Sequence, residues 1–393
     1  MNAHPPSRGQ GLFGRPVLTV TIVLAIVIGA GVGSVAFAGR DSANKSSWHQ
    51  PAAAGPATTE PPATEPVAKE EVRSITMSAT GDIMMANAPG RLPPRDGDGF
   101  FDDVREDLAA DLVMGNLEQP LTADTGTSKC GSPPSPNCFA FRSPTSYAKH
   151  LKDAGFQLMN LANNHTRDFG TAGARNTRAA LDDAGIKYTG NAGEVTVVEI
   201  KGVKVAVIGF SSYAGANNLT DIAASKAAVE DAKGQADLVV VQVHMGAEGS
   251  NKQHVKPGTE LFFGENRGDP VKFSRAVIDA GADLVVGHGP HVLRGMEFYK
   301  GRLIAYSLGN FAGGGKTLSG AGVLKYGGVL RVTLTADGTF TGGEIRSTAM
   351  SSIGLPTRDA NNRGRKLVAQ LSEDDFGDSG VTIGDDGSIA PPA

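Results

Sequence analysis

"DLVVGHGPHVLRG", residues 283–295, decides how the rest of this chain is read. A short apolar run after an aspartate has the look of a buried strand, and the glycines and proline behind it make a tight turn. Two imidazoles, His288 and His291, sit in that turn. In open α/β sheets, ligands gather at the carboxyl ends of the strands. The question is whether other strands end in the same way.

They do. Asp82 closes "SATGD", and Asn116 and Glu118 follow "DLVMG". Asn163, Asn164 and His165 follow "FQLMNLA"; His244 closes "DLVVVQV", with Glu248 just beyond; Asn310 closes "LIAYSLG". Four of the eight histidines lie at such ends. Each placement is weak alone. A single histidine after a strand is more often a hydrogen-bonded loop residue, and Glu248 is read equally well as a solvated carboxylate. The common placement of five segments outweighs those readings. Imidazole, carboxylate and amide oxygen without thiolate suit zinc, manganese or iron. Ligands from several strands could hold one such ion or a pair about 3.5–4 Å apart. His165 would then serve as general acid or as a donor to developing charge. His150, on a helix face, and His254, in a polar loop, read as surface residues.

The remaining pattern alternates. Strands are expected at 74–82, 111–116, 156–164, 204–210, 237–244, 283–289 and 302–310, then at 327–337 and 339–348. Helices are expected at 143–155, 171–185, 221–233 and 269–281, the first stopped by Gly155. This alternation argues a layered α/β sandwich with buried sheets, completed by antiparallel strands in the C-terminal third. Residues 373–393 are acidic and glycine-rich and read as a loose tail.

A net charge of −4 offers no basic footprint for nucleic acid. Residues 17–38 are uncharged and mostly apolar, long enough to span a bilayer, and Arg8 and Arg15 precede them. The run exceeds a signal peptide's apolar stretch of roughly 7–15 residues, so an uncleaved anchor is favoured over a signal cleaved after "AFA" at 36–38. Both readings export the remainder. The expected organisation is a cytoplasmic N-terminus (1–16), a transmembrane anchor (17–38), a Pro/Ala/Thr-rich linker (39–73), a folded domain (74–350) and a C-terminal extension with its acidic tail (351–393). Outside the cytoplasm, Cys130 and Cys138, the chain's two cysteines, are expected to form a disulfide. Closing so short a loop is worth on the order of 2–3 kcal/mol at most, so the bond should order a loop rather than hold the fold.

In order, "TGDIMM", "GNLEQPL", "NLANNHTRDFG", "VVQVHMGAE", "GADLVVGHGPHV" and "YSLGNF" resemble the CapA family of poly-γ-glutamate (capsule) synthesis proteins, itself similar to the calcineurin-like metallophosphoesterases. The resemblance spans roughly residues 74–315. It implies a four-layered α/β/β/α sandwich behind a single membrane helix. It also implies metal ligation by Asp82, Glu118, Asn164, His244, His288 and His291, catalytic roles for His165 and Asn116, and supporting places for Glu248 and Asn310. There are departures. Met84 stands where the superfamily's first motif has a histidine, Asn116 where its second has an aspartate, and Gly289 where the family's usual "GHHPH" has its middle histidine. The function implied is synthesis or export of poly-γ-glutamate or a related envelope polymer, beside membrane-bound synthase subunits and with one or two divalent ions. The rivals are a free-standing metal-dependent hydrolase of phosphoesters or envelope polymer, and a metal-free scaffold.

Overall fold

The computed structural model describes residues 72–123, 126–135 and 138–392. The expected anchor, and the linker up to residue 71, lie outside them. Among the described residues no helix is long and apolar enough to cross a membrane.

Two large sheets form the centre. The eight-stranded sheet runs Pro356–Arg358, Phe340–Met350, Tyr326–Thr335, Ser74–Met84, Leu112–Leu117, Leu158–Asn160, Lys187–Thr189, with Asn310–Gly313 also paired to Ser74–Met84. The seven-stranded sheet runs Met296–Tyr299, Arg302–Ala305, Leu284–His288, Leu238–His244, Val203–Ser211, Val195–Ile200, with Asn217–Asn218 beside Val203–Ser211. In each sheet the strands that carry site residues are parallel, and antiparallel strands extend the edges. That arrangement explains the unbroken apolar runs: a strand covered on both faces has no reason to alternate.

Three apolar clusters show the layering. One fills the space between the sheets, with Met77, Met114, Val205, Val240, Val286 and Leu330 among its residues. A second lies against the helices Ala148–Ala154 and Gly170–Asp183 through Leu151 and Leu181. A third lies against Ile222–Lys233 and Pro270–Asp279 through Val229, Phe273 and Val277. Helices thus cover the outer face of each sheet. Local chemistry sets the helix ends. Asp221 and Asp269 cap their helices by accepting from the backbone N–H of Ala224 and Lys272, and Gly155 stops Ala148–Ala154 in a left-handed conformation.

Two expectations are corrected. The C-terminal stretch is folded rather than loose. Helix Arg363–Phe376 packs on the sandwich through Val368 and Leu371, and Thr382–Ile383 pairs with Ile389–Ala390 so that Val381 and Ile389 are buried. Most of its acidic residues face outward, and a few apolar ones suffice to dock it. Asn310 opens a strand rather than closing one, because the run 302–310 breaks after Ala305.

Candidate metal centre

Register places the site. In the first sheet, Asp82 pairs with Asn116 on one side and Asn310 on the other, and Asn116 pairs with Asn160. In the second, His288 pairs with His244, and His244 with Ser211. Parallel register partners point the same way, so each sheet lines up a row of polar side chains at its carboxyl end. The Gly289 N–H reaches Asp82 Oδ2 at 3.4 Å and so ties one row to the other.

Asp82, Glu118 and His244 are fully buried, with one ligand atom of each within 4.8 Å of the others. Several buried polar atoms have no hydrogen-bond partner: Glu118 Oε1, both ring nitrogens of His244, His288 Nδ1, and the side-chain oxygens of Asn164 and Asn310. An orphaned buried polar atom normally costs about 1–3 kcal/mol. A group of orphaned lone pairs beside two carboxylates is what a cation would satisfy. The donor set fits a divalent metal.

His288 is held as a ligand needs to be. Its Nε2 lies 2.9 Å from Gln242 Oε1, which leaves Nδ1 with its lone pair free. Burial pushes its pKa down to about 4, so the ring is neutral. Gln242 went unnoticed in the sequence, although it stands two residues before His244 and therefore on the same strand face. His291 behaves differently. It adopts a left-handed backbone (φ 58°) and puts Nδ1 2.9 Å from Asp82 Oδ2. Burial opposes its charge, but the bond to Asp82 raises its pKa to about 10. His291 therefore neutralises a site carboxylate, whereas its neighbour offers a free nitrogen. For Glu118, burial would raise the pKa, yet the neighbouring His244 and His291 imidazoles hold it well below the usual carboxylate range.

The departures from the resemblance have physical consequences. Asn116 Nδ2 donates to Asp82 Oδ1 at 2.8 Å and also to Glu118 Oε2. Its Oδ1 accepts from Asn160 at 3.0 Å and Asn163 at 3.2 Å. The amide is fully committed and buried, so the expected catalytic role finds no free group; Asn116 bridges two carboxylates instead. At Gly289 (φ 105°) a Cβ would fall 2.9–3.0 Å from three atoms of the His244 ring, so this glycine makes room for that imidazole. Gly287 serves by close approach rather than by unusual angles, since its Cβ would meet the Tyr306 carbonyl at 2.2 Å. Met84 is buried in the core.

His165 lies in the loop between Leu158–Asn160 and Gly170–Asp183. Its Nδ1 lies 2.8 Å from Asp168 Oδ2, and its ring meets Phe141 edge-on. Together with Lys129, Asn164, Tyr213, Glu248 and Arg267 it lines a cavity of about 360 Å³. Glu248 is paired with Arg267 at 2.9 Å and lies 3.8 Å from His291 Nε2. Asn310 donates to the Leu324 carbonyl at 2.9 Å. Cys130 and Cys138 form a disulfide, and Cys138 borders the cavity. Sequence reading missed Asp168 and Lys129. The aspartate's spacing of three from His165, in "HTRD", was the available signal.

The family model for bacterial capsule synthesis protein PGA_cap matches residues 76–314. The chain belongs to this family. Over 264 residues it is 35% identical to the capsule biosynthesis protein CapA of Bacillus anthracis, covering 61% of this chain and 60% of that protein. Over 256 residues it is 31% identical to the PGA biosynthesis protein CapA of Bacillus subtilis (strain 168), covering 60% and 63%. The match therefore spans less than two thirds of either relative. Among solved structures, the NAD nucleotidase of Haemophilus influenzae is similar at 13% identity and a TM-score of 0.38, covering 76% of this chain and 56% of that one. A likeness of that size carries no argument here. The family match bears out the resemblance read from the motifs, and the site lies within the matched residues.

Proposed function

We propose that this PGA_cap protein is exported and membrane-anchored. It acts beside membrane-bound synthase subunits in making or exporting poly-γ-glutamate or a related anionic envelope polymer, through a buried divalent-metal site. The curated relatives' names support the polymer role. The apolar run 17–38 and the disulfide, which belongs to an oxidising compartment, support export. The observation that carries the metal reading is the set of orphaned lone pairs at Glu118, His244 and His288.

Asp82, Glu118, His244 and His288 would hold the ion, with Asn164 and Asn310 offering neutral oxygens. Charge favours one ion. Asp82 and Glu118 carry the negative charge, His291 already offsets part of it, Glu248 is matched by Arg267, and Asn116 adds no carboxylate, so too little charge is left for a second ion. Bound there, a divalent ion would act as a Lewis acid on an anionic substrate oxygen. The chain's own residues do the rest. Asn116 keeps the two carboxylates together, and Gln242 fixes the His288 ring. Asp168 accepts from His165 Nδ1–H, leaving Nε2 to move a proton at the cavity. That buried His165–Asp168 pair favours turnover, and thus the metal-dependent hydrolase, as the second reading. Elemental analysis of the full-length chain, purified without chelator, is the test. One zinc, manganese or iron per chain supports the reading; none leaves the metal-free scaffold.

A further inference from the structure

Asp168 joins the disulfide loop to the His165 ring that lines the cavity. Asp168 is fully buried and gripped from both flanks of the cysteine pair. On the near flank, Lys129 places Nζ 2.7 Å from Asp168 Oδ1 and donates its backbone N–H to the Asp168 carbonyl at 2.8 Å. The same ammonium reaches the Asn164 carbonyl at 3.1 Å. On the far flank, the Phe141 backbone N–H donates to Asp168 Oδ2 at 2.7 Å, and the Phe141 ring packs against the His165 ring at 5.0 Å. Asp168 Oδ2 is also the atom that meets His165 Nδ1.

We propose that the Cys130–Cys138 crosslink positions the His165 imidazole, acting through Lys129, Phe141 and Asp168. This rests on the reading of His165 as the proton-moving group of the cavity. Lys129 adjoins Cys130, and Phe141 lies three residues beyond Cys138. The crosslink fixes the separation of these two grips. An ionised carboxylate accepts hydrogen bonds and cannot donate them, so the pair makes His165 carry its proton on Nδ1. Its Nε2 lone pair then faces the cavity. When the crosslink is cut, Lys129 and Phe141 can move apart, Asp168 loses its fixed seat, and His165 is free to exchange tautomers and swing. Asp168, Lys129 and Phe141 are positioning residues here, since His165 alone among them presents a reacting group.

The test labels the full-length chain with 15N at histidine and reads the tautomer of His165 from two-bond proton–nitrogen correlations. His165→Ala assigns the signal. The oxidised chain should show a single Nδ1–H form. In Cys130→Ser/Cys138→Ser the share of the Nε2–H form should rise about tenfold, as expected when a hydrogen bond to a charged group is lost. An unchanged tautomer in a folded double-serine chain would overturn the proposal. If that chain does not fold, Lys129→Ala and Lys129→Arg decide with the disulfide intact: alanine must release the tautomer and arginine must restore it. Equal spectra for the two would overturn the proposal as well. The spectrum reads positioning independently of turnover. If the clamp is present but His165→Ala leaves turnover untouched, the proton-moving role fails and the positioning stands.

Discussion

The two banks of the cleft are built on opposite plans. On the strand-end bank, Glu118, His244 and His288 are buried and keep atoms without partners. On the loop bank, His165 Nδ1, Asp168 Oδ2, Lys129 and Asn163 are bonded, while His165 Nε2 and the Asn164 side-chain oxygen stay open. Both banks carry histidine, carboxylate and amide, so composition does not separate them. The difference lies in saturation. A bank that leaves lone pairs open within a rigid sheet is prepared to receive an ion. A bank whose bonds are mostly closed is prepared to hold one side chain in one orientation.

The largest effect should come from removing charge on the open bank. Glu118→Ala takes away one of two carboxylates and its orphaned oxygen. Loss of partners outside a metal's ligand shell costs roughly 10–100-fold in affinity, and loss of a ligand should exceed that. Calorimetric titration of the chelator-treated chain with manganese or zinc measures it. Wild-type affinity in this variant would erase the distinction between the banks.

Next in size is Asn116→Asp. It replaces a bridging donor by a third carboxylate against Asp82 and Glu118. An uncompensated buried charge costs about 3–5 kcal/mol. The metal-free variant should melt well below the wild-type chain, and a divalent ion should recover most of the loss. A variant that melts like wild type would mean that the amide does not hold the carboxylates together.

These two residues also show what the sequence could tell. Strand ends were legible because period and turn chemistry are local, so Asp82, Glu118, His244 and His288 were found from spacing. The open atoms of the first bank were legible by residue type alone. Saturation was not. Nothing local says that Asn116 spends its amide on two carboxylates, that Gln242 holds His288, or that Lys129 reaches Asp168 from a loop. Nor does spacing separate His288 from His291. Two residues part them, and a left-handed backbone turns one toward a carboxylate while the strand keeps the other open. The acidic, glycine-rich stretch from Glu373 onward hid the docking residues Val381 and Ile389, and Val368 and Leu371 were too few to mark a helix by period alone.

A third, intermediate effect is pH-dependent. Folded His288 stays neutral down to about 4, whereas an unfolded imidazole protonates near 6.5. The unfolded chain binds more protons between those values, so stability falls as pH drops from 6.5 toward 4. His291 has the opposite sign. Its folded pKa is about 10, so its contribution is full below 6.5 and is lost as pH rises toward 10. The metal-free chain should therefore melt highest near 6.5. His288→Asn should flatten the acid limb and His291→Asn the alkaline limb. Exchanged or unaltered limbs would show that the two rings are not opposed as described.

The smallest effect belongs to His254, which lies away from both banks. Its Nδ1 is 2.8 Å from Asp375 Oδ1, so the structure gives this surface histidine a hydrogen-bond partner. The pair is weakly placed, because the His254 side chain is 55% exposed. Asp375 also accepts the Val255 N–H at 2.8 Å and keeps that bond when the ring is gone. Even an exposed ion pair contributes only about 0.2–1 kcal/mol, and this contact is worth no more. His254→Ala should therefore shift the melting temperature slightly and leave metal content and the His165 tautomer unchanged. The variant separates histidine as ligand from histidine as surface partner within one chain. If it lowered metal binding as Glu118→Ala is expected to, burial and orphaned polar atoms would not be what distinguishes the site, and the contrast between the banks would lose its basis.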